Sequence, residues 1–410
     1  MKKGYLSAYF SGAAAKQLSV VEAHPERSNQ HEFNGSGDLI RLLGNAGRNK
    51  HRYPARFVYA EDDTETLTAV AGVVTWYDAR AKSAARTGRS EHRLYFPSNE
   101  VTGRAAAGDL LLIARRQGGS LLIVIAAENS TMASQLRWLF DLPEVKQSRF
   151  SIRDQLDTEH DRLGLTASLI LEQIGVETDL SDERWLDAMI AEFGGAFPPT
   201  RIFSAYARRT LQDIDPLIDP DTALTAWMER EEILFRTFEK HLIGNRLREG
   251  FAHEDQADVD EFLSYSLSVQ NRRKARAGAA LENHLESLFS AHGICYERGA
   301  VTERNNRPDF IFPGSGAYHD PQFPTERLTM LAAKTTAKDR WRQITKEADR
   351  ISLKHLLTLE PAISEKQTDQ MRESGVQLVV PRPVQSEYTQ AQCKWLLDVT
   401  TFVALVRARQ

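Results

Sequence analysis

Short apolar runs alternate with polar turns over the first 145 residues. The runs are RFVYAEDD, TLTAVAGVVTWYDA, HRLYFPS, DLLLIARR and SLLIVIAA. Strands joined by tight turns have this pattern. The last two runs, separated by Gln-Gly-Gly, predict a β-hairpin. The segment is therefore expected to form a small, mostly antiparallel barrel or sandwich.

The pattern changes near residue 150. DTEHDRLGLTASLILEQIGVE and DERWLDAMIAEFG have helical periodicity and many acidic residues. GGAFPPT, at 194–200, interrupts the pattern and favours the edge of a linker. Beyond it, PDTALTAWMEREEILFRTFEKHLIGNRL and AGAALENHLESLFSAHG predict two amphipathic helices, the second ending at Gly293.

Strands and helices alternate through the last hundred residues. Strands are predicted at 309–312, 328–334, 355–359 and 376–380, and helices at about 339–350 and from about 390. This order predicts a mixed sheet flanked by helices. The fold class is thus α+β and multidomain. The predicted parts are a β domain at 1–150, an acidic helical linker at 151–200 and a mixed-sheet domain at 201–410.

Charge is distributed unevenly along the 410 residues, although the net charge is only −4. Residues 1–150 hold 20 Lys+Arg against 15 Asp+Glu, residues 151–260 hold 11 against 24, and residues 261–410 hold 21 against 17. Because counter-ion release depends on local basic surface, this total does not exclude DNA binding. Ordinary charge scatter explains the distribution equally well.

Composition argues against membrane and secreted classes. No apolar run reaches the ~20 residues that a membrane helix needs, and MKKGYLSAYFSG lacks the apolar segment of a secretory signal. The two cysteines, Cys295 and Cys393, argue against a disulfide framework or a cysteine zinc site. We therefore expect a cytoplasmic protein without membrane association.

Two charged residues interrupt apolar strands: Asp309 in RPDFIFPGSGAYHD and Lys334 in LAAKTTAKDRWRQITKEADR. Burying charge is costly unless the charge is paired or binds a metal. Glu347, on the following helix, and Glu282, on the preceding one, could converge with them. Such carboxylates would bind Mg²⁺, and the lysine would assist phosphodiester hydrolysis. Structural salt bridges are the alternative interpretation.

Several segments resemble the catalytic domain of EcoRII-type restriction endonucleases. They are SVQNRRKARAGAALENHLESLF, RPDFIFPGSGAYHD, MLAAKTTAKDRWRQITKEADR and MRESGVQLVVP, and the likeness extends from about 200 to 400. This resemblance implies the restriction-endonuclease-like PD-(D/E)xK fold. It also implies Mg²⁺-dependent cleavage of double-stranded DNA at sites that contain CC/GG.

The resemblance further implies roles for individual residues. Asp309 and Lys334 would be the Asp and Lys of the motif, and Glu282 an additional acid. The position two residues before the lysine is Ala332, which cannot bind a metal. Glu347 would supply the missing carboxylate from the next helix. The implied metal ligands are Asp309, Glu347 and Glu282.

DNA contacts are implied at two places in this domain. The segment AKDRWRQ would read C:G pairs, since Arg and Lys donate to guanine and Asp accepts from cytosine; a solvated helix start is the alternative. The base-reading candidates are Lys338, Asp339 and Arg340. NRRKAR would contact phosphates, although a surface charge run is equally consistent. The phosphate-contact candidates are Arg272, Arg273, Lys274 and Arg276.

AWMEREEILF departs from the family pattern. Met228 and Glu232 stand where family members have the arginine and the aromatic residue that hold a flipped base. Flipping requires a stacking partner. Either the neighbouring Trp227 and Arg230 take that role, or no base is flipped.

KQLSVVEAHPERSNQHEFNG and RTGRSEHRLYFPS resemble the effector-binding domain of the same enzymes, a β pseudobarrel in which two loops reach the major groove. Alternating Arg and Glu could read G and C edges. An exposed polar hairpin with ordinary surface histidines is the alternative. The effector-site candidates are Gln30 and His31 in the first loop, and Arg89, Glu91, His92 and Arg93 in the second.

The resemblance as a whole predicts a homodimeric Type II restriction endonuclease that binds a second copy of its site as an effector. A palindromic target makes a two-fold dimer the expected assembly. The N-terminal domain is expected to obstruct the catalytic cleft until DNA occupies it. Two other functions stay open: a DNA-binding regulator with an inactive nuclease fold, and a modification-dependent or repair nuclease.

Overall fold

The structure is a computed structural model that describes residues 4–24, 31–35, 37–62, 67–81, 90–142, 145, 149–253, 256–337 and 340–410. The chain packs as two units, each described by itself below. The first comprises residues 1–178 and 362–366, and the second residues 179–361 and 367–410. The three-part division at 150 and 200 stays a prediction.

One eight-stranded sheet forms the centre of the first unit. Its strands are β1 Phe10–Gln17, β2 Glu32–Asn34, β3 His51–Ala60, β4 Thr68–Asp78, β5 His92–Tyr95, β6 Leu110–Arg116, β7 Leu121–Ala126 and β8 Ser151–Arg153. They lie in the order β2-β5-β4-β3-β7-β6-β1-β8. Of these strands, β3 and β7 pair in parallel, and the other neighbours pair antiparallel.

Burial explains why these segments form strands. All of β7 is buried, as expected for a continuous apolar run in the middle of a sheet. It forms the predicted hairpin with β6, placing Ile113 opposite Ile123. The helices of this unit are α1 Val20–Ala23, α2 Gly37–Leu43, α3 Glu100–Gly103, α4 Thr131–Leu139 and α5 Leu165–Gln173, with 3-10 turns at Leu6–Ala8 and Glu159–Asp161.

The second unit contains both helices predicted from the sequence, although the second begins at Val259, before the predicted segment AGAALENHLESLFSAHG. Its helices are α6 Leu186–Phe193, α7 Thr200–Arg209, α8 Pro220–Glu249, α9 Val259–Ala291, α10 Ser315–His319, α11 Arg340–Ile344, α12 Glu365–Glu373, α13 Arg382–Gln385, α14 Gln390–Cys393 and α15 Val399–Arg409, with 3-10 turns at Glu183–Trp185, Glu303–Asn305 and Thr325–Arg327. The start of α8 is set by Asp219, whose side chain accepts from the Thr222 N–H; this is N-capping.

A mixed sheet lies among these helices. After a short ribbon of β9 Ala252–His253 and β10 Gln256–Ala257, its strands are β11 Glu297–Arg298, β12 Phe310–Phe312, β13 Thr329–Lys334, β14 Lys354–Thr358 and β15 Val376–Val379. They lie in that order, antiparallel from β11 to β13 and parallel from β13 to β15. Phe289 of α9 packs edge-on against Phe310 and Phe312. The predicted α+β class is confirmed.

One predicted helix is shorter than expected. The segment predicted as a helix at about 339–350 is helical only over Arg340–Ile344, and residues 345–350 form turns. Ala348 has a φ of +49°, a left-handed conformation that an α-helix does not contain. The prediction that Glu347 lies on a helix is therefore wrong, because Glu347 lies on a turn. Among the described helices, none has the length and apolarity required to cross a membrane.

Candidate active site

The pairing of β12 with β13 brings Asp309 and Lys334 together. Asp309 directly precedes β12, Lys334 ends β13, and Phe310 lies opposite Leu331. Oδ2 of Asp309 accepts hydrogen bonds from Lys334 Nζ and from the Ala333 N–H, both at 2.8 Å. Their side chains are 16% and 29% exposed. The two residues that interrupt apolar strands thus form one partly buried ion pair.

Glu282 and Glu347 lie within electrostatic reach of this pair. Burial raises the pKa of the Glu347 carboxyl, and repulsion by Asp309 raises it further. The same two causes, in the same order, raise the pKa of Glu282. Lys334 opposes both shifts. Because Asp309 and Lys334 act on both glutamates, the four predicted catalytic side chains share one region.

Arg298, which sequence reasoning missed, pairs with Glu282. Its Nε donates to Glu282 Oε2 at 2.8 Å, and its Nη1 donates to Asn283 Oδ1 at 2.9 Å and to Glu286 Oε2 at 3.2 Å. Arg298 lies on β11 opposite Phe310, one strand away from Asp309. No motif marks this arginine, because a two-residue strand leaves no periodic signal.

The carboxylates suit a hard divalent cation by their chemistry. Carboxylate oxygens are the ligands that Mg²⁺ prefers, and the repulsion that raises two of the pKa values is what a bound cation would relieve. Their side chains are nevertheless paired internally, Asp309 with Lys334 and Glu282 with Arg298. Within the described part of the chain, no three His, Cys, Asp or Glu side chains are grouped to hold a metal ion.

The base-reading candidates follow this site in the chain. Lys338 and Asp339 lie outside the described residues, and of Arg340 only the backbone is described, as the first residue of α11. The Ala337 N–H, just before them, donates to Glu360 Oε2 at 2.5 Å. This hydrogen bond fixes the backbone at Ala337, directly before the segment. The base-reading roles of Lys338, Asp339 and Arg340 stay a prediction.

Arg276, a predicted phosphate contact, is buried inside the second unit. It is 7% exposed, forms ion pairs with Glu231 and Glu232 of α8, and lies over the ring of Phe235 at 4.0 Å. A guanidinium held in this way is not available to a DNA backbone. This placement does not favour the predicted contact, because Arg276 faces α8 rather than solvent.

Arg272 and Arg273, from the same basic run, are half-buried. Nε of Arg273 donates to Glu239 Oε2 at 2.7 Å, and Arg272 lies 5.1 Å from the ring centre of Phe197. The side chain of Lys274 lies outside the described part of the structure. Sequence alone could not separate these residues from Arg276, because all four belong to one basic run.

Trp227 and Arg230, the candidates for holding a flipped base, have separate neighbours. Trp227 is buried, and its ring centre lies 5.7 Å from that of His284. Arg230 lies 4.5 Å from the ring centre of Trp185. Met228 is also buried. Trp227 and Arg230 therefore contact different aromatic rings, His284 and Trp185.

In the first unit, pairing of β2 with β5 brings the two predicted DNA-binding segments together. The Phe96 N–H donates to the His31 carbonyl at 2.9 Å, and Asn34 lies opposite Arg93. The His31 ring contacts Ser98 through Nδ1 at 3.3 Å. Two further candidates, Gln30 and Arg89, lie outside the described residues.

Strand alternation separates the candidates on β5. Arg93 donates to Glu32 Oε2 and to Glu91 Oε1, both at 2.5 Å, and these bonds raise its pKa, Glu32 contributing most. His92 points the other way, is 3% exposed and packs on Trp76 at 5.1 Å. Because successive strand residues face opposite sides, His92 belongs to the core and Arg93 to the polar face.

The second unit thus presents an aspartate–lysine pair at the edge of a mixed sheet, with two further acids in electrostatic reach. Residues 235–403 match the family model described as EcoRII C terminal. The resemblance to EcoRII-type restriction endonucleases is thus confirmed.

Two curated relatives match the chain. Type II restriction enzyme EcoRII of Escherichia coli is 47% identical over 188 residues, which are 46% of this chain and 45% of that enzyme. Type II restriction enzyme SsoII of Shigella sonnei is 30% identical over 128 residues, 28% of this chain and 41% of that enzyme. The chain thus spans less than half the length of these relatives.

Solved structures also match in part. Metal-depleted Ecl18kI in complex with uncleaved, modified DNA has a TM-score of 0.45 and 20% identity, covering 54% of this chain and 82% of that one. The PspGI–substrate DNA complex has a TM-score of 0.42 and 17% identity, covering 52% and 93%.

Proposed function

We propose that the protein is a Mg²⁺-dependent Type II restriction endonuclease that cuts double-stranded DNA at a short palindromic site containing CC/GG. The observation that carries the proposal is the partly buried Asp309–Lys334 pair, with Glu347 and Glu282 in electrostatic reach. The family match of residues 235–403 supports it. The whole chain's activity is inferred from this domain.

Each residue has a distinct role in the proposed reaction. When bound, Mg²⁺ polarises the scissile phosphate and lowers the pKa of a water. Asp309 and Glu347 would hold the ion, and Glu282, which is paired with Arg298 in this structure, would be the additional acid. Lys334 orients the attacking water and offsets the negative charge that develops on the phosphate.

Recognition is assigned to the segment that follows β13. Lys338, Asp339 and Arg340 would read the C:G pairs through major-groove edges. For phosphate contacts we retain Arg272, Arg273 and Lys274, because Arg276 is buried and paired.

The first unit is proposed to be the effector-binding domain, with a pseudobarrel architecture. Glu91 and Arg93 lie on its polar face beside the segment that carries His31. Gln30 and Arg89 are assigned the same role from the sequence alone. DNA bound there would stimulate cleavage by the second unit.

A homodimer is proposed because a palindromic site requires two active sites related by a two-fold axis. An exposed apolar stripe on α9 supports this: Val259, Phe262, Leu263 and Leu267 are 61%, 45%, 51% and 58% exposed. Spacings of three and four residues place them on one helical face. We propose that a second copy of the chain covers this stripe.

Replacing Leu263 and Leu267 together by Glu should convert the dimer to a monomer in sedimentation equilibrium. The matched control replaces the exposed Ser264 and Ser268 of the same helix by Glu, which should leave the dimer intact. A dimer that persists in the leucine variant would show that this stripe is not the interface.

The experiment that tests the function is to digest a plasmid library with the protein and Mg²⁺ and to sequence the fragment ends. Fragment ends that share one palindromic CC/GG site would support the proposal and give the cut position. Sequence-specific binding in Ca²⁺ without any cutting in Mg²⁺ would favour an inactive regulator. Cutting only methylated plasmid would favour a modification-dependent nuclease.

A further inference from the structure

Glu347 lies on a turn, so the hydrogen bonds of an α-helix do not fix the direction of its side chain. Its N–H still donates to the Ile344 carbonyl at 3.1 Å, but the next residue, Ala348, has a φ of +49°. A non-glycine residue in that region is strained, and the turn keeps one shape only when its surroundings impose it.

A buried lysine on the neighbouring strand supplies this constraint. Lys354 begins β14 and is 5% exposed. Its Nζ donates to the Ala348 carbonyl at 2.8 Å and also to the Ile351 carbonyl. Burying an ammonium group is costly, and here its donors are directed at the carbonyl of the strained Ala348 itself and at the Ile351 carbonyl.

Lys354 is itself held in place by the sheet. β14 lies between β13 and β15, and the Lys354 N–H donates to the Gly375 carbonyl at 2.9 Å. Since β13 ends at Lys334, the same sheet positions both the catalytic lysine and the amine that holds the Glu347 turn. The positive charge of Lys354 also opposes the rise that burial and Asp309 cause in the pKa of Glu347.

A second brace holds the turn from the other side. Nδ2 of Asn306 donates to the Lys346 carbonyl at 2.8 Å. Glu303 Oε2 accepts from the Asp349 N–H at 3.1 Å, while the Tyr318 hydroxyl donates to Glu303 Oε1 at 2.7 Å. Backbone groups on both sides of Glu347 are thus fixed by side chains from other segments.

We propose that Lys354 is a positioning residue of the nuclease site, which holds the 345–351 turn so that the Glu347 carboxylate is directed at the metal position beside Asp309. The inference rests on the proposed nuclease function. Lys354 acts through the Ala348 and Ile351 carbonyls and does not itself contact DNA or metal.

The test compares Lys354→Met with wild type in three measurements. These are the Mn²⁺ dependence of the thermal midpoint, the Mg²⁺ concentration that gives half-maximal cleavage, and hydrogen exchange of the 346–351 amides. Replacing a residue that orients metal ligands typically changes metal affinity by roughly 10- to 100-fold. We therefore expect two metal midpoints to rise at least tenfold: the Mn²⁺ concentration that gives half of the thermal stabilisation, and the Mg²⁺ concentration that gives half-maximal cleavage. Exchange of the turn should accelerate, while β12 and β13 stay protected.

Lys346→Met is the matched control. Lys346 is exposed on the same turn, and its removal deletes an equal charge without touching the two carbonyl contacts. We expect its metal midpoints to stay within about twofold of wild type, well below the effect of a lost orienting residue. Equal shifts in both variants would reduce the role of Lys354 to a general charge effect and overturn the proposal.

Asn306→Ala covers the case in which Lys354→Met does not fold. It removes one brace from the exposed side of the turn, and we expect a smaller rise in the metal midpoint with faster exchange of the same amides. A folded Lys354→Met or Asn306→Ala protein with the wild-type metal response would overturn the proposal. If wild type neither cuts DNA nor responds to Mn²⁺, the nuclease function itself fails.

Discussion

Replacing Lys334 should have a large effect on the rate of DNA cleavage. Its amine contacts Asp309 and projects from the end of a buried strand. Lys334→Ala should lower the cleavage rate by at least about 10²–10³-fold, the usual cost of losing a group that stabilises transition-state charge. Filter binding in Ca²⁺ should show DNA affinity close to wild type. Substantial residual cutting would remove Lys334 from the site.

Glu347 should destabilise the metal-free protein, because burial and Asp309 raise its pKa. A folded-state pKa above the unfolded value means that stability is fully present below the unfolded pKa and is lost as pH rises through the folded pKa. Glu347→Gln should therefore increase the free energy of unfolding near pH 7.5, with little change at pH 4. Urea denaturation in EDTA at both pH values measures this difference.

On the proposed function Mg²⁺ stabilises wild type, and the same substitution should abolish that stabilisation. A gain in metal-free stability accompanied by lost activity would identify Glu347 as a group kept for function. Equal unfolding curves at both pH values, in wild type and variant, would contradict the electrostatic account.

At the scale of structural elements, a buried carboxylate at the start of α8 connects this helix to two others. The buried Asp221 carboxylate accepts from the backbone N–H groups of Arg382, Val399 and Thr400, at 3.0, 2.8 and 3.0 Å, and from the Thr400 hydroxyl at 2.6 Å. It thereby ties α8 to the first turns of α13 and α15. A buried carboxylate with several donors supports structure rather than catalysis.

Asp221→Ala should destabilise the protein by about 3 kcal/mol or more, since it leaves several buried donors without an acceptor. Asp219→Ala is the control, because Asp219 is an exposed N-cap two residues away and its loss should cost only about 1 kcal/mol. Chemical denaturation monitored by tryptophan fluorescence would compare the two. Similar losses would show that the Asp221 connection is weak.

Sequence patterns predicted most of these elements. The β6–β7 hairpin, the helix α8, the C-terminal half of α9 and the positions of β12 to β15 along the chain follow from apolar periodicity. The early end of α11 could not be predicted, since a positive φ at Ala348 is imposed by contacts from distant residues. Arg298 was missed for the same kind of reason: only the register of β11 places it near Asp309.

The candidate site residues also divide into those that the sequence identifies and those whose placement only the structure shows. Asp309 and Lys334 were identifiable because charge interrupts buried strands. His92 was grouped with Arg93 by proximity in the sequence, although strand alternation directs it into the core. Arg276 was grouped with its neighbours by charge, and only the packing of α9 on α8 reveals its burial.

At the scale of the whole molecule, the proposed effector role predicts stimulation by DNA. Short duplexes carrying the target site should accelerate cleavage of a single-site plasmid by the full chain. Arg93→Ala should raise the duplex concentration needed by roughly tenfold, the cost of one specific base contact. Arg41→Ala, which removes an exposed arginine paired with Asp154, should not. Undiminished stimulation in Arg93→Ala would exclude Arg93 from the effector site.

Glu282, Asp309, Lys334 and Glu347 come from a helix, the start of one strand, the end of another and a turn. No short peptide from this chain contains them all, and the last of them is synthesised late. On the proposed function, a nascent or partly unfolded chain does not cut the chromosome of the cell that makes it. The active site forms only after the strands of the mixed sheet have paired and the turn that carries Glu347 has folded.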